Sequence, residues 1–226
     1  MSGDHLRNRT VLAGLTPQER RRVEALGRTA AFPRGATLLA QGDAPTRLYL
    51  LQTGTVRLFR LTADGREVTA QIAGANTFIG LEALLTDEPY GLSAVALEPC
   101  CVLELTRPEA EQLFLENPAI ALKAIRALCR SVTDAMESLL TYRLRNAHGR
   151  LVYALERLAE THGRREGDET VIDLPLTHQD LASLTGLSRQ TVSGLLSSLR
   201  ARGAIAVANR RIRLTRHFPW GWGRVG

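Results

Sequence analysis

Apolar and polar positions alternate along this chain with two different periods, and the period changes mark its organisation. Thr16-Pro17-Gln18-Glu19 opens a helix that runs to about Gly27 with Val23 and Leu26 facing inward. Thr16 is its cap, Pro17 takes the first helical position, and Glu19 stands where a capping box needs an acid. From Phe32 onward short apolar runs take over, at 37–40, 48–51, 55–61, 67–72, 91–97 and 101–105. Turn residues divide them, among them Pro33-Arg34-Gly35, Gln41-Gly42-Asp43, Gly54 and Gly74-Ala75-Asn76. Asp64-Gly65 between two alternating runs is the clearest hairpin turn. Many short strands at this interval predict a β-sandwich or a small barrel.

Helical periodicity returns after the strands. Residues 108–113 predict a short helix, and Asn117-Pro118 opens a long one. Along it Ala121, Ile125, Leu128, Val132, Ala135, Leu139 and Tyr142 recur at alternating steps of four and three, the spacing of a coiled-coil seam. A helix packed within its own domain can show the same spacing. A second stripe, Leu122, Cys129, Met136 and Leu140, is expected to rest on the barrel. Residues 146–150 predict a hinge, followed by a helix with Leu151, Ala154, Leu155 and Leu158 inward. Residues 161–170 read as a charged loop, and 171–174 as a short strand. In the tail, Trp220 and Trp222 could pack on a domain or lie loose.

Residues 177–202 hold the most specific local pattern. Thr177 can cap a short helix carrying Leu181 and Leu184, with Asp180 at the capping-box position. Gly186 can close it in a left-handed conformation, and Ser188 can cap a second helix. Val192, Leu195, Leu196 and Leu199 give that helix a single apolar face. The opposite face shows Gln190, Ser193, Gly194 and Ser197, with Arg189 at its N-terminal edge. Short polar groups there leave little to shield the helix, so it looks built for contact. Two helices joined by a glycine turn fit either a helix-turn-helix or an ordinary helical hairpin. The next stretch of chain favours the first: Gly203 ends the helix, 204–207 alternate weakly, Asn209-Arg210 can turn, and 211–214 alternate basic and apolar. A helix-turn-helix followed by a basic hairpin is a winged helix, whose partner is double-stranded DNA.

Charge supports that partner. Residues 147–226 hold 12 basic and 7 acidic groups, against 17 and 16 in residues 1–146. The excess therefore lies in the segment with the winged helix. No apolar run approaches a membrane span, and the N-terminus mixes Asp4, His5, Arg7 and Arg9 without an apolar signal region, so a cytoplasmic protein is expected. Three cysteines, two of them adjacent at 100 and 101, make neither a metal site nor a disulfide framework. Nucleophile elbow, Gly-rich phosphate loop and zinc spacing are all missing, which argues against an enzyme, and no cofactor is expected.

Phe32-Pro33-Arg34-Gly35, Gln41-Gly42-Asp43, 48–51 with Gly54, Asp64-Gly65-Arg66-Glu67 and Phe78-Ile79-Gly80 resemble, in this order, the cyclic-nucleotide-binding jelly roll. Asn117-Pro118, Gly149-Arg150 and 187–192 continue the resemblance to the cyclic-AMP receptor protein and fumarate-nitrate reductase regulator family, over roughly residues 12–215. The resemblance implies an α+β protein with three parts. They are a jelly-roll sensor-like domain (1–116), a dimerisation helix and hinge (117–146) and a C-terminal winged helix-turn-helix (147–226). It also implies a homodimer on a palindromic DNA site, and RNA polymerase as a partner.

Cyclic-AMP-binding members hold the phosphate with an arginine, the ribose with a glutamate after the Phe-Ile-Gly turn, and the adenine with hydroxyls on the dimer helix. In this sequence those positions, beside Gly80 and Ser93, are Leu92, Leu81 and the pair Ala135-Met136. A buried phosphate must be paired, so a pocket of this composition predicts no cyclic-AMP binding. Either no small ligand or a more apolar one is expected; a cyclic-nucleotide- or ligand-dependent regulator with an atypical pocket is the alternative. At the DNA, Arg189 is expected on a guanine edge and Gln190 on adenine, while Gly194 replaces a base-reading arginine of the family and offers no side chain. Thr177, His178, Gln179, Ser188 and Thr191 sit at helix starts that meet phosphate, Ser193 and Ser197 lie on the contact face, and Arg210, Arg211 and Arg213 are expected wing contacts.

Overall fold

A computed structural model describes residues 16–208 and 210–221, and 19 elements succeed one another along them. Helix α1 (Pro17–Leu26) precedes strands β1 (Arg28–Phe32), β2 (Thr37–Leu39), β3 (Arg47–Thr53), β4 (Val56–Leu61), β5 (Glu67–Ala73) and β6 (Phe78–Ile79). Next come α2 (Leu81–Thr86), β7 (Ser93–Ala96), β8 (Cys100–Thr106), α3 (Arg107–Glu116) and the long α4 (Pro118–Leu144). The remainder is α5 (Ala147–His162), β9 (Gly163–Glu166), β10 (Glu169–Ile172), α6 (His178–Thr185), α7 (Arg189–Ala201), β11 (Ile205–Ala208) and β12 (Arg211–Leu214). Two compact units divide the chain within α4, between Thr133 and Asp134.

In the first unit two four-stranded antiparallel sheets, ordered β1-β8-β3-β6 and β2-β7-β4-β5, form the jelly roll. The unbroken apolar run 48–51 is explained by its place. Tyr49 and Leu51 face the second sheet with Val56, Leu58 and Ala94, while Leu48 and Leu50 face the helices with Leu103, Leu105, Leu113 and Ile120. A strand buried on both faces loses the alternation that would otherwise mark it. The α1 cap forms as the sequence predicts: Thr16 Oγ1 accepts from the Glu19 amide at 3.2 Å, and Glu19 Oε2 accepts from the Thr16 amide at 2.6 Å. The same Oε2 also receives Lys123 Nζ of α4 at 2.6 Å. Three segments differ from expectation. Strand β1 starts four residues before Phe32, helix α2 follows Gly80, and the supposed charged loop 161–170 is mostly the β9–β10 hairpin. Ion pairs hold that hairpin to β12, so it needs no apolar alternation: Arg213 reaches Glu166 at 2.8 Å and Glu169 at 3.0 Å. The strand expected at 171–174 accordingly begins at Glu169 and ends at Ile172.

Helix α4 corrects the placement of its apolar stripes. Its barrel-facing residues are Ile120 and Ala124, with Ala127 and Leu128 packed partly against the same core. Leu122, Cys129, Met136 and Leu140, expected on the barrel, are instead exposed. The 3.6-residue period carries a stripe that begins at Ile120 through 124 and 127/128, and position 122 falls away from it. Of the expected seam, Ile125, Val132, Ala135 and Leu139 are exposed and Ala121 and Leu128 half-buried; the Tyr142 side chain lies outside the described residues. The expected hinge also shrinks: α5 already begins at Ala147, capped by Asn146, whose Oδ1 accepts from the Gly149 amide at 3.0 Å.

In the second unit, Arg157 of α5 pairs with Asp134 at 2.7 Å, and Ser138 lies 3.3 Å from the Tyr153 hydroxyl. The last third of α4 is thereby fastened to α5. A third antiparallel sheet, ordered β11-β12-β10-β9, closes the winged helix. The tail packs within this unit: Phe218 is buried, Trp220 meets it edge-on at 5.1 Å, and Gly221 N–H donates to Glu156 at 2.6 Å. Trp222 and Asn209 lie outside the described residues, as do residues 1–15.

Candidate nucleic-acid interface

The exposed face of α7 is positioned by its buried one. Val192, Leu196 and Leu199 are buried, Leu195 half-buried, and α6 supplies the buried Leu181 and Ala182. Burying each such leucine is worth about 1.5–3 kcal/mol, which fixes the rotation of the helix. Arg189, Gln190, Thr191, Gly194 and Ser197 are consequently exposed together, and Ser193 half-exposed. Gly186 joins the helices at φ 66, where a side chain would be strained. Both helix starts are capped as read from the sequence. Thr177 Oγ1 accepts from the Asp180 amide at 3.1 Å, and Ser188 Oγ accepts from the Thr191 amide at 3.0 Å. These caps leave the first two amides of each helix, at His178 and Gln179 and at Arg189 and Gln190, without intrahelical acceptors. Anions are favoured at such ends.

The wing arginines divide into two kinds. Arg210 is exposed at the turn, with φ 61. Arg211 pairs with Asp173 at 2.7 Å, both half-exposed. Arg213 is held by Glu169 and Glu166 together, and these hydrogen bonds raise its already high pKa. For Arg213, the expected phosphate contact left out Glu166 and Glu169 of the β9–β10 hairpin, which its reading as a loop concealed.

At the barrel turn, Gly80 has φ 86, and a Cβ there would stand 2.9 Å from the Tyr90 ring. Tyr90 is buried; its hydroxyl donates to the Arg47 carbonyl at 2.6 Å and accepts from the Arg47 amide at 3.0 Å. Leu81 is buried among the helix-side core residues and Leu92 packs against the inter-sheet core. Ser93 Oγ accepts from the Gln41 amide at 3.0 Å. Gly80, Leu81, Leu92 and Ser93 all belong to the first unit, whereas Ala135 and Met136 are exposed on α4 in the second. Tyr90, which carries no sequence signal of its own, is the most committed side chain of the turn. Its neighbours Pro89 and Gly91 mark only a loop. No helix among the described residues is long and apolar enough to cross a membrane.

A jelly roll followed by a long helix and a winged helix defines a class, the transcription regulators that join a cyclic-nucleotide-type domain to a DNA-binding domain. Comparison with known proteins agrees over both parts. Residues 29–117 match the cyclic nucleotide-binding domain, and residues 149–217 the Crp-like helix-turn-helix domain. The global nitrogen regulator of Nostoc sp. is 33% identical over 192 residues, covering 83% of this chain and 84% of that one. The cyclic AMP receptor protein of Thermus thermophilus is 32% identical over 192 residues, covering 85% and 86%. Among solved structures, a CRP-family transcriptional regulator from Thermus thermophilus superposes with a TM-score of 0.69 at 26% identity, covering 82% of this chain and 91% of that one. The chain belongs to the cyclic-AMP receptor protein and fumarate-nitrate reductase regulator family. It is a DNA-binding transcription regulator, not an enzyme.

Proposed function

We propose that the protein acts in the cytoplasm as a homodimer on a palindromic double-stranded DNA site, contacts RNA polymerase there, and does so without cyclic AMP. The observation that carries the dimer is the apolar line left uncovered on α4. Leu122, Ile125, Val132, Met136 and Leu139 are 46–61% exposed, with Cys129 exposed in the same line at alternating steps of three and four. On this reading residues 117–146 serve assembly, 1–116 sensing and 147–226 DNA binding, and a homodimer carries two α7 helices for two half-sites about one DNA turn apart. Arg189 and Gln190 read base edges, while Thr177, His178, Gln179, Ser188, Thr191 and Arg211 meet the backbone.

Independence of cyclic AMP is supported by the barrel turn. The relative from Thermus thermophilus carries cyclic AMP in its name. Here the positions for phosphate and ribose contacts are Leu92, half-buried against the core, and Leu81, buried in it, and the Ser93 hydroxyl accepts from the Gln41 amide. A nucleotide phosphate placed there would lack a partner for its charge. Any effector of this site would be more apolar. Calorimetry is expected to show no heat of cyclic-AMP binding at micromolar concentrations, and the nucleotide is expected to leave DNA affinity unchanged. Binding accompanied by a tenfold gain in DNA affinity would overturn the reading.

A further inference from the structure

Gly194 stands in the middle of α7, on its exposed face. Glycine is the poorest helix-interior residue after proline, so its presence there requires a cause. At several other glycines the cause lies inside the protein. A Cβ at Gly54 would stand 2.7 Å from Cys100 Sγ, one at Gly163 would stand 2.0 Å from the Ala159 carbonyl oxygen, and Gly186 has a positive φ. At Gly194 a Cβ meets nothing within 4 Å, and the backbone is not in the left-handed region. A methyl group would fit the protein as it stands. No described neighbour within the protein asks for a bare Cα there.

We infer that Gly194 is where α7 comes closest to the floor of the major groove, and that a thymine 5-methyl group seats against its Cα. The inference rests on the reading that α7 enters that groove. Gly194 has no side-chain donor or acceptor, and its amide and carbonyl belong to the helix ladder, so it can recognise a base only by shape. The thymine methyl is the one apolar group that a base pair presents in the major groove. The flanking residues match: Ser197 and Ser193 are short, and Gln190, one turn towards the N-terminus, is suited to an adenine edge. The position without a reading side chain thus selects by excluding everything larger than hydrogen.

Gly194→Ala tests this, because alanine favours the helix and adds a single methyl group. The variant is expected to melt about 2–4 °C higher than wild type. It should bind the wild-type selected site at least tenfold more weakly, with binding to random DNA within about twofold. Replacing thymines of the site one at a time by uracil, which lacks the 5-methyl, should weaken wild-type binding at least threefold at one position per half-site and leave the variant insensitive there. Equal affinity of variant and wild type for the selected site overturns the inference. So does an equal loss on selected and random DNA, which would place the close approach at a phosphate, and so does a uracil scan without effect on wild type. A wild-type protein that selects no site at all would instead remove the DNA reading on which the inference stands.

Discussion

The arginines of the DNA-binding unit differ in the company they keep. Arg189 is exposed beside the N-terminus of α7 and makes no ion pair among the described residues, so its guanidinium can take guanine O6 and N7 together. Arg189→Ala is expected to cost about 1–3 kcal/mol on the selected site and to relax preference at one G·C pair, leaving random DNA little affected. Equal weakening on all sequences would make it a phosphate clamp. Arg211 can exchange the exposed Asp173 carboxylate for a phosphate, and its alanine variant should lower the salt slope by about one. Arg213→Ala should act on folding: it leaves Glu166 and Glu169 facing each other across the β9–β10 pair, lowering the melting temperature with little change in the salt slope. In the barrel, burial alone would push the Glu104 carboxyl up, but hydrogen bonds from Arg28 and Arg47 outweigh it and hold it below the usual carboxylate range. Its folded pKa lies below the unfolded one of about 4.3, so its stabilisation is present above that pH and disappears as pH falls through the folded value. Urea unfolding of Glu104→Gln should therefore show a deficit against wild type at pH 6 that closes below about pH 4. A deficit constant with pH would show that the ion pairs contribute nothing.

Among elements, α4 makes the most specific demand on assembly. Its inner stripe packs on the barrel through Ile120 and Ala124, and the line from Leu122 to Leu139 stays exposed, where the proposed homodimer joins. Val132→Asp places a charge in that line, where burial without a counter-charge costs several kcal/mol. In sedimentation the variant should be monomeric and fail to bind its operator. A stable dimer would place the interface elsewhere. The periodicity of α4 is legible from sequence, but not its barrel face: neither stripe read from the sequence holds Ile120 or Ala124, because neighbouring apolar positions differ only by rotation about the helix axis. The caps at Thr16, Thr177 and Ser188 are legible because a cap is decided within four residues. The β9–β10 hairpin is not: its strands are held by Arg213 more than forty residues away, and a charged, exposed pair leaves no alternation to read.

At the scale of the whole molecule the two units differ in how they can be read. The winged helix is built from sequence-adjacent residues, so the exposed face of α7, from Arg189 to Ser197, can be read from its helical period. The barrel turn gathers Arg47, Gly80, Tyr90 and Ser93 from separate strands and loops, and the hydrogen bonds of Tyr90 to Arg47 depend on the sheet register. That is why Leu81 and Leu92 at the turn are legible while the ring that fills it is not.

The three thiols extend the assembly argument into chemistry. Cys100 is buried with its Sγ donating to the Thr55 carbonyl, Cys101 is half-buried against Gln52, and Cys129 stands exposed on the apolar line of α4. A bulky maleimide therefore meets one fast thiol per chain when the line is open, and none when a second helix lies across it. The rate of alkylation, followed by mass against protein concentration, becomes a direct titration of subunit association, with no label to be engineered.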